Sequence, residues 1–164
     1  MNIFAVSGAG VAAIAFASFG KITPFVVWNA SASAPIGLYQ IEQNTSPEIG
    51  DFVLVKPDES LENFITLRGY LPENIPLLKR VAALPGDEIC RESEAIFINK
   101  FRVADALIFD SRGRKMPSWS GCFTLRSSEI FLLNDPEKSL DGRYFGATEL
   151  DDVIGAARTV WVRG

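Results

Sequence analysis

The sequence predicts a mainly β, antiparallel-sheet body preceded by one N-terminal membrane-spanning helix. Three observations carry that prediction. Residues Ile3 to Gly20, "IFAVSGAGVAAIAFASFG", hold no charge, and as a helix such a run is about 27 Å long, near the thickness of a bilayer core. Beyond it, short apolar runs alternate with Gly, Pro, Asn and Asp clusters, the punctuation of strands and tight turns. Only one stretch, after Asp58, has the spacing of an amphipathic helix. The expected division is an anchor or signal-like segment over 1–24 and a strand-rich domain over 25–164.

The first segment is Ala- and Gly-rich, so a cleavable signal peptide is its competing reading, with Ala15-Phe16-Ala17 as a small-x-small site. Against cleavage, no Lys or Arg precedes the apolar run. The charges on either side, the terminal amine and Lys21, leave orientation undecided. Trp28 is placed for a membrane interface.

"SASAPIGLYQIEQ" leads small residues into a strand, and Gly50-Asp51 is a turn that opens "FVLVKP". Asp58 is positioned to cap a short helix through Leu61, Phe64, Ile65 and Leu67, ended by Gly69. After the loop "YLPENIP" comes "LLKRVAALPGD", a strand stopped by a second Gly-Asp turn. "EIC" and "AIFINKFRVA" read as strands with a hairpin at Asn99-Lys100. Residues 110–121 form a polar loop, and "CFTL", "EIFLLN" and "DVIGAARTVWV" supply the remaining strands.

Composition narrows the chemistry. With a formal charge of −4 and no basic stripe, the chain is not built for nucleic acid. It has no histidine, which removes the Ser-His-Asp triad, the Cys-His pair and His-containing zinc sites together. Two cysteines cannot hold a metal by themselves, and no cofactor motif is present. Hydrolytic chemistry here must use Ser, Lys, Asp or Glu.

Lys79 stands out because it interrupts an apolar strand. A buried ammonium loses hydration, and shedding its proton relieves that cost. A snorkelling lysine, with its stem packed and its head in water, is the plainer alternative. Leu77, Val81 and Ala83 are expected on the same strand face. Two further stretches are plain alone. "NASASAPIGLY" (29–39) reads as a Ser/Ala linker, and "NDPEKSLDGRYFG" (134–146) reads as a polar loop.

In order and together, these three stretches resemble the Ser–Lys signal peptidase family. That family carries a serine shortly after a membrane anchor, then "KR…PGD", then "S.D.R..G". Ser33, Lys79-Arg80 with Pro85-Gly86-Asp87, and Ser139, Asp141, Arg143 and Gly146 match it. "SAPIGLY", "RGYLP", "PLLKRVAALPGD" and "PSWSGC" are most similar to the conjugative-transfer, TraF-type subgroup. "DPE" at 135–137 departs from the "GDNR" lead of general signal peptidases, which favours a dedicated substrate.

The resemblance implies a signal-peptidase-like fold and a membrane-anchored serine endopeptidase. Ser33 would be the nucleophile and Lys79 the neutral base. Ser31 would help form the oxyanion hole with the N–H of Ser33, and Ser139 would orient the lysine. Asp141 would support the site by pairing with Arg80 or Arg143. A Cys90–Cys122 disulfide is expected if the body faces the periplasm, two buried thiols being the alternative. The implied setting is the bacterial inner membrane, with one span and a periplasmic catalytic domain. The implied partner is a signal-bearing precursor, a pilin, within conjugative transfer machinery. Hydrolysis and cyclisation of that pilin both stay open. So do a general type I signal peptidase and a non-catalytic periplasmic subunit of a pilus or type IV secretion apparatus. A self-cleaving repressor shares the dyad, but no helix pair for DNA is evident.

Overall fold

In the computed structural model, which describes residues 26–163, the chain forms two antiparallel sheets. The anchor expected over 1–24 lies outside the described residues. No helix among the described residues is long and apolar enough to cross a membrane.

The larger sheet contains β1 (Val26–Asn29), β2 (Gly37–Glu42), β3 (Phe52–Val55), β4 (Leu77–Ala83), β9 (Glu129–Leu132), β10 (Thr148–Glu149) and β11 (Val153–Val162). Their order is β1-β2-β11-β3-β4-β9-β10. The smaller sheet contains β5 (Glu88–Glu92), β6 (Ala95–Ile98), β7 (Phe101–Asp105) and β8 (Gly121–Thr124), in the order β7-β6-β5-β8. Long-range pairing sets the architecture, as when β11 returns from the end of the chain to lie between β2 and β3. Register shifts in β11 and in β4 bend the larger sheet, because an extra residue on one strand increases local twist.

Local chemistry explains the connections. Asp58 accepts from Leu61 N at 2.8 Å and caps α1 (Glu59–Leu67), satisfying a donor that the first helical turn leaves unpaired. Asn99 and Lys100 both have positive φ, 50° and 72°, the geometry that closes a two-residue hairpin between twisted strands. In β3, Val53, Leu54 and Val55 are buried in succession rather than alternately, which shows that the sheet is covered on both faces here. Val53, Val55, Val81, Ile130 and Leu132 form one apolar cluster, and Ala83, Ile89, Ile96, Leu125 and Phe131 form another that joins the two sheets. Each fully buried branched side chain contributes about 1.5–3 kcal/mol of transfer free energy.

Cys90 and Cys122 sit opposite each other on β5 and β8 and form a disulfide, with Cα atoms 4.1 Å apart. The two-thiol alternative is set aside. Three elements were not expected from the sequence: β1, the two-residue β10, and the short α2 (Gly142–Phe145). Gly142 is what allows α2 to sit where it does. A Cβ there would stand 2.6 Å from the Phe131 ring and 2.8 Å from the Leu132 carbonyl. The close approach presses Asp141 and Arg143 against the end of β9.

Candidate active site

The site is built on β4, on the turn between β1 and β2, and on the loop between β9 and α2. Lys79 lies mid-strand opposite Val53. It is 5% exposed, so it does not snorkel. Val81 shares its face two residues on, as expected from strand alternation. Ala83 does not continue that lining. The strand shifts register between Val81 and Ala83, and Ala83 joins the cluster with Ile89 and Phe131 instead.

Burial pushes the Lys79 amine down to about 8. Loss of hydration is the main cause; Asp141 pulls the other way, and Arg143 adds to the lowering. At pH 7 about a tenth of such a lysine is neutral, against less than about a thousandth at its ordinary value. Its Nζ donates to Ser139 Oγ at 3.2 Å, and Ser139 is itself buried.

The loop that carries Ser139 is fixed by an interior ion pair. Arg143 Nε donates to Asp141 Oδ1 at 2.8 Å, and both side chains are essentially sealed from solvent. Arg143 also donates to the carbonyls of Asp105, Glu137 and Asn134. A buried guanidinium with this many acceptors is compensated for its lost hydration, the condition a buried pair must meet. The expectation that Asp141 pairs with Arg80 or Arg143 resolves to Arg143. Arg80 turns outward, donates to both oxygens of Asp135 at 3.0 Å, and lies 5.3 Å over the Phe52 ring.

Ser33 lies in the turn between β1 and β2. Its Oγ is 2.8 Å from Ser31 Oγ, and its N–H donates to Ser31 Oγ at 3.2 Å. The two hydroxyls expected to cooperate are thus adjacent. Ser33 and Lys79 line one cleft of about 990 Å³, yet each hydrogen-bonds elsewhere, Ser33 to Ser31 and Lys79 to Ser139. The serine N–H expected in an oxyanion hole is occupied by Ser31.

Two asparagines complete the site, and sequence reasoning missed both. Asn134 Oδ1 accepts from Arg80 N at 2.8 Å, and its Nδ2 donates to Leu78 O at 3.2 Å. The side chain thereby grips β4 on either side of Lys79. Its main chain faces the other way: Asn134 N donates to Asp141 Oδ2, and its carbonyl accepts from Arg143. Asn29 does the equivalent for the serine turn, with Oδ1 accepting from Ser31 N and Nδ2 within reach of the carbonyls of Ser31, Ala34 and Pro35. The Tyr39 hydroxyl also donates to Pro35 O, at 2.7 Å. The available signal was position: each asparagine stands at or just past the end of a strand.

No group of acidic, Cys or His side chains among the described residues is arranged to hold a metal.

The fold and the site together define a β body with one cleft lined by both a serine turn and a buried lysine of lowered pKa. Comparison with known families makes this particular: the profile described as "Signal peptidase, peptidase S26" matches residues 1–162, and the chain belongs to that family. It is 29% identical over 143 residues to the Escherichia coli "Plasmid transfer protein TraF", covering 80% of each chain. It is 32% identical over 143 residues to the "Conjugal transfer protein TraF" of Agrobacterium fabrum strain C58, covering 81% of this chain and 80% of the relative. A solved signal peptidase I from Enterococcus faecalis V583 overlays with a TM-score of 0.39 at 18% identity, over 68% of this chain and 97% of that one. That overlay is too loose to bear on function.

Proposed function

We propose that this chain is a serine endopeptidase that cleaves a leader or signal segment from a precursor, through Ser33 and Lys79. The observation that carries the reading is Lys79: buried, hydrogen-bonded to Ser139, and lowered to about 8 in the cleft that Ser33 also lines. A lysine held this way is poised to be a base near neutral pH.

In the reaction, Ser33 Oγ leaves Ser31 and attacks the scissile carbonyl while neutral Lys79 takes its proton. Collapse of the tetrahedral intermediate breaks the C–N bond, and Lys79 returns the proton to the leaving amine. Water, or the amine of another chain end, then releases the acyl group from Ser33. Ser139 keeps the amine aimed, and the Asp141–Arg143 pair fixes the loop that carries Ser139. The Ser31 hydroxyl and the Ser33 N–H would stabilise the oxyanion once their mutual bond is released.

The conjugal-transfer names of the relatives support the transfer machinery as the setting, and the substrate proposed within it is a pilin precursor. The uncharged segment before residue 21 supports a retained single inner-membrane span and a periplasmic catalytic domain, where the Cys90–Cys122 disulfide would persist.

Kinetics on a leader-bearing pilin precursor test the reading. Lys79→Arg keeps length and polarity but stays protonated, so it should be as inactive as Lys79→Ala, and Ser33→Ala should be inactive too. Substantial turnover by folded Lys79→Arg would remove the lysine from the mechanism.

A further inference from the structure

Ser33 borders a second cleft besides the one it shares with Lys79. This cleft, of about 410 Å³, is walled by Pro35, Phe52, Arg80, Asp135 and Arg163. Neighbouring residues of a strand face opposite ways, so β4 presents Lys79 to the first cleft and Arg80 to the second. The serine turn sits at the divide.

We propose that the second cleft receives the segment on the leaving-amine side of the scissile bond, and that it selects acidic residues there. This rests on the peptidase reading given above. A peptide whose carbonyl is attacked by Ser33 must extend away from that serine in two directions. The first cleft is the larger, and Val26, Ile65, Leu71, Leu77 and Phe109 give it apolar walls, suited to an apolar leader. The opposite arm is left for the cleft beyond Pro35.

The charges in that cleft favour one sign. Arg80 is matched by Asp135. Arg163 has no ion pair among the described residues, although its backbone is pinned beside the serine turn by a 2.8 Å bond from its N–H to Ile36 O. One carboxylate thus faces two guanidiniums, leaving a net positive charge for an acidic side chain to meet. When the C–N bond breaks, the amine takes the proton held by Lys79, and the freed segment departs through this cleft. An amine that resolves the acyl-enzyme in place of water would enter by the same path.

The test uses the full-length enzyme in detergent micelles and precursor peptides that share one leader. Glu, Ala or Lys is placed singly at each of the first four positions after the bond. At one or more positions Glu should exceed Lys in kcat/KM by about 3- to 10-fold, the size expected when a partly screened surface charge meets an opposite charge rather than a like one. The ratio should fall as salt rises, and Arg163→Glu should abolish or invert it. Equal rates for Glu and Lys at every position overturn the assignment, as does a preference that Arg163→Glu leaves intact. Cleavage without charge preference sinks the cleft assignment alone. A folded enzyme that cleaves none of the peptides sinks the peptidase reading and the assignment with it.

Discussion

Lys79→Met should stabilise the protein at neutral pH while abolishing its activity, and the gain should vanish in alkali. The Lys79 amine stands at about 8 in the fold against an ordinary 10.5. Below pH 8 the lysine is protonated whether folded or unfolded, so folding carries the whole cost of burying the charge. Between about 8 and 10.5 the folded amine is neutral and the unfolded one still protonated. The unfolded state then binds more protons, and stability rises with pH across that window. A shift of about 2.5 units corresponds to about 3 kcal/mol. Met matches the stem and removes the charge but leaves Ser139 Oγ without its donor, a loss of about 1–3 kcal/mol. At pH 7 the variant should therefore be more stable by up to about 2 kcal/mol. The pH dependence is the cleaner readout, because the Ser139 loss is constant and other titrations cancel between the two proteins. Denaturant unfolding of both proteins at pH 7, 8, 9 and 10 measures it. The wild type should gain on the variant by about 2–3 kcal/mol over that range. A difference that stays flat would show that Lys79 keeps an ordinary pKa, and the neutral-base argument would fail with it.

Ser33→Ala should abolish precursor processing. Ser31→Ala should cost less than the roughly 10²–10³ of a lost oxyanion donor, because it also frees the Ser33 N–H that Ser31 now occupies; a reversed ranking would exchange their roles. Asn134→Asp sets a carboxylate beside the base strand, so the alkaline rise of the rate should move above pH 8, whereas Asn134→Leu should slow the reaction without that move; pH–rate profiles separate the two. Replacing Cys90 and Cys122 together by Ser opens a closure of 32 residues and should lower unfolding free energy by about 3–4 kcal/mol in the chain-entropy account, measured by denaturant titration under oxidising conditions.

The strands, the Asp58-capped helix and the Asn99-Lys100 hairpin were legible because periodicity and turn chemistry are local properties. Lys79 was legible for the opposite reason, since a charge within an apolar run contradicts its surroundings. The Ser33, Ser139, Asp141 and Arg143 positions emerged only through motif order, because Ser and Asp in loops are ordinarily turn formers. The helix α2 left no trace, being four residues that open on glycine, and the reason for that glycine is the Phe131 ring pressed against it. Ala83 misled because a register shift interrupts the alternation that would have placed it beside Lys79.

Asn29 and Asn134 were hidden by a subtler cause, which also explains why neither position suits an aspartate. β1 ends at Asn29, and β9 ends two residues before Asn134. In both places the main-chain ladder stops while adjoining backbone groups remain unpaired, a cost in a buried setting. A side-chain amide carries one acceptor and a pair of donors, so it can stand in for the missing peptide group. A carboxylate of the same size has no donor and would meet the Leu78 carbonyl, or those of Ser31, Ala34 and Pro35, with repulsion. The turn that carries Ser33 and the strand that carries Lys79 are therefore held by the same device. Each asparagine bonds to backbone, which leaves the Ser33 and Lys79 side chains to line the same cleft.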